Sequence, residues 1–338
     1  MSRILFLCGS LNQTTQMHQI ARELPEHEHA FAPYYLDGAL EILRSWGLLE
    51  FSIAGEKLRA RCVAYLAEHR LPMVRGRERG AYDLVLSCSD LVVQRDLRGR
   101  RMVLVQEGIL DPLEWPFRLW RRLPFLPRWL GGTATTGLSL AYDRFCVASE
   151  GYRDHFRSLG VPAEKLVVTG IPNFDDCRRY LRNAFPHRNY VLVCTSDGRE
   201  TFKPDDRPAF LRRCLAIAAG RPLVFKLHPN ENVERATQEI RQVAPQALVF
   251  ARGSAEEMIA NCDVLVTEWS STVFVGLVLG KECHSNFDLD SLRRLLPVQN
   301  GCAARNIAEV CRGILAEASR PTEGAPLAGL ALSSAEVP

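Results

Sequence analysis

The residue types that could act on a charged ligand stand at the ends of short apolar runs. Leu223 to Phe225 leads into Lys226, His228, Pro229 and Asn230, and Val264 to Val266 leads into Thr267, Glu268, Ser270, Ser271 and Thr272. If both runs are parallel strands, these groups sit at carboxyl ends, where open α/β sheets bind ligands. Imidazole, ammonium and hydroxyl donors beside the N–H groups of a helix start suit a phosphorylated ligand. The imidazole of His228 offers stabilisation of charge on a departing phosphate. Plainer alternatives are a histidine satisfied within its own turn and a Ser/Thr helix cap, and capping uses the same N–H groups as phosphate binding.

A second group lies in the first half of the chain. Met102 to Gln106 ends at Glu107-Gly108, and Glu107 is the candidate general base for a hydroxyl group. Asp90 and Asp111 hold similar loop positions. Gly9, Ser10 and Asn12 form a small-residue loop after the first apolar run, without the GxGxxG spacing of a dinucleotide site. Thr195 and Ser196, with Asp197, stand in the corresponding place in the second half. His18 falls on the first helix, where packing or surface exposure accounts for it. Neither an Asp-x-Asp triad nor a His/Cys cluster suggests a metal, so neither metal nor cofactor is expected.

Positioning these residues requires two runs of alternating strands and helices. The first runs from the strand Arg3 to Cys8, through the helix Thr14 to Leu24 and a strand near Ala30 to Leu36, to one long helical region from Gly38 to about Leu71. Strands follow at Asp83 to Ser87, Met102 to Gln106, Arg144 to Ala148 and Leu166 to Thr169. The second begins at Tyr190 to Cys194 and ends in a helix from Ala303 to about Ala318. Alternation twice over predicts an α/β protein of two Rossmann-like domains facing a cleft. The expected boundaries are 1–177 and 190–318, with a disordered tail at 319–338.

The length of 338 residues suits two such domains, and 47% hydrophobic with 24% charged residues is ordinary globular composition. A formal charge of +3 is too small to argue for nucleic acid. The eleven cysteines show no CxxC pair, and Cys8, Cys88, Cys146 and Cys194 fall in or beside apolar runs, which points to buried thiols in a reducing cytoplasm. The opening reads as a strand rather than a signal peptide, and no apolar run approaches the length of a membrane span. One segment breaks the alternation. Trp115 to Leu130 carries three of the five tryptophans among four arginines and three prolines. Such a mixture suits the inner face of a membrane or an acceptor-binding flap; aromatics packed on the first domain are the equal alternative.

From roughly Arg144 to Asp288 the chain resembles bacterial surface-polymer transferases of the GT-B architecture: the CDP-glycerol glycerophosphotransferases and the capsule Kdo- and sialyltransferases. The shared elements stand here as Lys226-Leu-His228-Pro229, as Asp263-Val-Leu-Val-Thr-Glu268-Trp-Ser270-Ser271, and as the turn Gly170-Ile-Pro172-Asn-Phe-Asp175. The resemblance implies a metal-independent glycosyl- or glycerophosphate-type transferase acting in surface-polysaccharide synthesis. Its donor would be a CMP-, CDP- or UDP-linked nucleotide sugar, and its acceptor a saccharide or a lipid-linked molecule. His228, Ser270, Ser271 and Thr272 would bind the donor, with Glu268 near the sugar or ribose and Lys226, Pro229, Asn230, Gly170, Thr195 and Ser196 around them. Gly9, Ser10, Asn12 and Gly108 would face the acceptor. The glycerophosphotransferases have His-Gly where this chain has Glu107-Gly108. That pair is instead similar to the Glu-Ala-Gly of hydrolysing UDP-N-acetylglucosamine 2-epimerases, whose His-Arg-Arg-Glu-Asn element is missing here. Epimerisation or hydrolysis of a nucleotide sugar, and a non-catalytic nucleotide-sugar-binding subunit, therefore remain alternatives.

Overall fold

The computed structural model describes residues 1–50, 52–74, 82–123, 125–196, 198–201 and 205–319. The expected tail beyond 319 and Asp197 lie outside these residues. The first run of elements is β1 (Arg3–Cys8), α1 (Leu11–Arg22), β2 (Glu28–Pro33), α2 (Gly38–Ser45), α3 (Glu56–Glu68), β3 (Leu84–Ser87), β4 (Met102–Val105), α4 (Trp115–Arg122), β5 (Arg144–Val147), α5 (Glu150–Ser158) and β6 (Leu166–Val168). The second is β7 (Val191–Cys194), α6 (Arg207–Ala218), β8 (Leu223–Lys226), α7 (Val233–Val243), β9 (Leu248–Phe250), α8 (Ala255–Asn261), β10 (Val264–Thr267), α9 (Thr272–Val278), β11 (Glu282–His284), α10 (Leu289–Arg294) and α11 (Ala303–Ser319).

The central strands are continuous apolar runs because helices cover both faces of each sheet. The first sheet has the order β2-β1-β3-β4-β5-β6 and the second β11-β10-β7-β8-β9, with every pairing parallel. In each, the strand order reverses once: between β1 and β3 in the first, between β7 and β10 in the second. Such reversals open a crevice beyond the strand ends. The residues following β1, β3 and β4 therefore gather at one end of the first sheet, and those following β7, β8 and β10 at one end of the second.

Three expectations need correction. The region from Gly38 to Leu71 is two helices: Gly47 adopts φ +74°, a left-handed conformation that stops α2. The chain then doubles back so tightly that a Cβ on Gly55 would lie 2.5 Å from the Glu50 carbonyl oxygen. Helix α11, assigned from sequence to the second domain, packs on the first sheet. Its Ile307, Ala308, Cys311, Ile314 and Leu315 share a buried cluster with Ile4, Phe6, Leu84 and Val103. That spacing is one face of a helix, and each buried isoleucine contributes about 1.5–3 kcal/mol. The segment from Trp115 to Leu130 is α4 followed by a 3-10 turn over Arg128–Thr135, with Phe117 buried and most of its other aromatics exposed. Nine of the eleven cysteines are buried and all are free thiols. Burial, the largest cause in each case, pushes Cys146 and Cys194 up to about 12. No described helix is long and apolar enough to cross a membrane.

Candidate functional site

Ser10 caps α1. Its Oγ accepts from the Gln13 amide nitrogen at 3.1 Å and donates to Glu107 Oε1 at 2.7 Å. Asn12 Nδ2 donates to the same oxygen at 3.3 Å and Gln13 Nε2 to Oε2 at 2.6 Å. Gln16 Nε2 holds the Glu107 carbonyl at 2.9 Å. The half-buried carboxylate thus lies over the N-terminus of α1, where the helix dipole favours negative charge. A carboxylate has about four lone-pair sites; three are engaged here, and the remaining one, on Oε2, suits an incoming hydroxyl. A Cβ on Gly9 would lie 2.2 Å from Gln13 Oε1 and push that side chain out of this arrangement.

The start of α9, after the second sheet's β10, meets the loop that carries this carboxylate. Ser271 Oγ accepts from the Ile109 amide at 3.2 Å, and a Cβ on Gly108 would stand 2.7 Å from that oxygen. A side chain on residue 108 would displace the Ser271 hydroxyl from the loop that carries Glu107. Ser270 Oγ lies 2.9 Å from Thr272 Oγ1 and accepts from the Thr272 amide at 3.3 Å, while Ser271, at the N-cap position, makes no side-chain capping bond. Ser196 Oγ donates to Glu268 Oε2 at 2.9 Å, spanning the reversal between β7 and β10.

The His-Pro turn is held from beneath and from across the cleft. The His228 amide donates to Thr195 Oγ1 at 3.0 Å and Glu231 Oε2 at 2.9 Å. Glu231 in turn accepts from Thr195 Oγ1, and from Arg207 Nη2 at 2.6 Å. His228 Nδ1 accepts from the Asn230 amide at 3.2 Å, which leaves the proton of the neutral ring on Nε2. From α3 in the first domain, Arg61 donates to the Pro229 carbonyl at 2.6 Å, and Lys57 donates to the Asn230 carbonyl at 2.8 Å. These two cations were not legible as site residues, because only the domain arrangement brings α3 to the turn. Gln13 and Gln16 did leave a signal: polar residues three apart on the buried face of an amphipathic helix need partners.

Several expected residues have other roles. Lys226 is buried, burial lowers its pKa, and its Nζ is turned back to the Leu227 carbonyl at 2.8 Å. Thr195 is buried within the Glu231 network and supports the turn. Asp90 is buried and accepts from the Gly137 and Ser139 amides, and Asp111 fastens Thr133. His18 packs with Tyr65 and His69. Gly170 adopts φ +85° where the chain returns to α11; a Cβ on it would lie 3.1 Å from that of Ala303, and Asp175 accepts from the Ala303 amide at 2.8 Å. Gly170→Ala is expected to cost about 1–2 kcal/mol through its left-handed backbone without changing nucleotide affinity; denaturant titration beside a binding isotherm checks both. Among the described residues, no group of three or more His, Cys, Asp or Glu is placed to hold a metal ion.

Two parallel sheets with facing reversals, and a last helix returned to the first, define an architecture that solved structures share. UDP-N-acetylglucosamine 2-epimerase from Rickettsia bellii superposes with a TM-score of 0.55 at 11% identity, over 94% of this chain and 96% of that one. The Neisseria meningitidis enzyme bound to UDP-GlcNAc gives 0.55 at 11%, over 92% and 100%. The wall teichoic acid polymerase TagF gives 0.51 at 10%, over 94% and 89%. The chain has the GT-B fold. No protein-family profile matches it, and no curated protein matches it in sequence. At these identities the likeness is one of architecture, and chemistry has to be argued from the GT-B cleft itself.

Proposed function

We propose that this GT-B protein is a metal-independent transferase that moves a glycosyl or glycerophosphate-type group from a nucleotide-activated donor to an acceptor hydroxyl. The observation that carries this reading is the contact of Ser271 with Gly108 and Ile109. It sets the donor-side helix start against the loop bearing Glu107, a carboxylate with a lone pair left for a hydroxyl. In the reaction, the acceptor oxygen forms its bond to the donor carbon or phosphorus as Glu107 takes the hydroxyl proton. The bond to the nucleotide oxygen breaks, and its electron pair leaves on the nucleotide phosphate. His228 Nε2–H, Ser270 and Thr272 stabilise that charge, and Lys57 and Arg61 add positive potential beside the turn. Pro229 and Asn230 shape the turn, and Ser196 and Glu268 orient the donor sugar or ribose. Surface-polysaccharide synthesis at the inner face of a membrane, with contact through 115–130, is the setting that fits the exposed arginines and aromatics of that segment.

Screening CMP, CDP, UDP, UMP and GDP by thermal shift, with and without magnesium, is expected to show one nucleotide stabilising the protein regardless of metal. At a hundred times its Kd the gain is about 2.7 kcal/mol. His228→Ala is expected to lower kcat by about 10²–10³-fold, the loss typical of one donor aimed at developing charge; unchanged turnover removes His228 from the mechanism. Conversion of a nucleotide sugar with no acceptor present would transfer the same cleft to epimerisation or hydrolysis. Nucleotide binding without turnover on any acceptor would make the protein a binding subunit.

A further inference from the structure

Glu107 and Ser271 stand in the wall of a cavity of about 540 Å³. That size falls within the roughly 300–1,000 Å³ of small-molecule sites. Its wall is mostly hydrocarbon: Leu40 and Leu43 of α2, Leu49 and Ile53 of the turn that follows, Val92 beyond β3, and Trp129. A saccharide carries a hydroxyl on nearly every carbon, and burying those against leucine and valine without partners is costly. Of the polar groups in the wall, Asn12 and Gln13 are already engaged with the Glu107 carboxylate, and Asp111 and Thr133 with each other. The elements that line the cavity also carry exposed aromatics. Trp46, at the end of α2, is 70% exposed; Trp115 and Phe125, in the segment leading to Trp129, are 72% and 79% exposed. Arg118, Arg121, Arg122 and Arg128 lie among them. Exposed tryptophans mixed with arginines are the composition of a surface that rests on anionic lipid headgroups.

We propose that the acceptor is a lipid alcohol: an amphiphile whose reacting hydroxyl lies within a few bonds of its apolar body, with that body in this cavity and the hydroxyl at Glu107. The inference rests on the transferase reading and narrows it, because a polymer end would place sugar or phosphate where the leucines stand. The hydroxyl proton passes to Glu107 and the oxygen to the donor group, as in the general scheme above.

The test uses the full chain and octyl glyceryl ether below its micelle threshold, with glycerol as the headgroup alone, in isothermal titration. Octyl glyceryl ether is expected to bind and glycerol not to bind. Leu43→Trp, at a half-buried position on α2, fills the cavity and is expected to weaken binding of the ether at least tenfold, leaving the nucleotide-induced thermal shift as in the wild type. Equal binding of ether and glycerol, or undiminished binding by Leu43→Trp, overturns the proposal while a nucleotide shift leaves the transferase reading standing. Ether binding with no shift from any nucleotide has the opposite meaning: the transferase reading falls, and the acceptor role of the lipid falls with it.

Discussion

Replacing Glu107 by Gln is expected to lower kcat by about 10²–10⁴-fold, the range contributed by one positioned base, with little change in stability. The second half of that expectation follows from the hydrogen bonds. The amide keeps an acceptor oxygen for Ser10 or Asn12, whose donors reach Oε1 in the wild type, and the Gln13 side chain can turn its own oxygen toward the new NH₂ group. What is lost is the ability to take a proton. Steady-state rates of the variant beside the wild type, with urea titrations of both, check this. A Glu107→Gln protein with wild-type turnover would reduce Glu107 to a cap on α1. A protein that fails to fold would instead show that the carboxylate is needed to hold α1 against β4.

Arg207→Met is expected to destabilise the fold by about 3–5 kcal/mol, the cost of leaving a buried charge without its partner. Arg207 and Glu231 are both buried, joined at 2.6 Å, with Asp205 Oδ2 a further 3.4 Å from the same guanidinium nitrogen. Burial outweighs the pull of Arg207 and raises the Glu231 carboxyl above its ordinary value; removing the guanidinium raises it further. A carboxyl whose folded pKa exceeds its unfolded pKa binds more protons in the folded chain between the two values. Stability therefore falls as pH rises through that window. The variant should lose most near neutrality and recover on acidification towards the unfolded value, a sign opposite to that of an ordinary salt-bridged carboxylate. Urea titrations at several pH values test it. Arg207→Met with Glu231→Gln should regain much of the loss, since the pair is removed together and the remaining carboxylate, Asp205, keeps the Arg199 guanidinium at 3.8 Å. A single-variant loss below about 1 kcal/mol would mean that solvent reaches Glu231. Because Glu231 also receives the His228 amide, the single variant should weaken nucleotide binding as well.

The two expectations separate the local from the distant. Strand ends were readable from the sequence because a parallel strand buried on both faces is a continuous apolar run. The polar residue that ends the run marks the place where the chain meets the crevice. Glu107 after Met102–Val105, His228 after Leu223–Lys226 and Ser270–Thr272 after Val264–Thr267 were all found that way. So were the two α/β units and the buried thiols. The same reasoning misjudged Lys226, because a charged residue at a strand's last position can turn back to its own backbone, and only packing shows which way it points.

What tertiary structure alone decided are the pairings across sequence distance. Nothing local distinguishes the Gly108 that admits Ser271 from any glycine after a strand, nor the Gly170 that admits α11 from a nucleotide-loop glycine. Lys57 and Arg61 are surface cations of an ordinary helix until the second domain lays the His-Pro turn against them. The apolar cavity is divided among α2, the ends of β3 and β4, and the turn after α4, so no single stretch of sequence contains its pattern. Periodicity records which face of an element is buried. It does not record what that face is buried against, and in this protein the surroundings of Glu107 consist of those contacts.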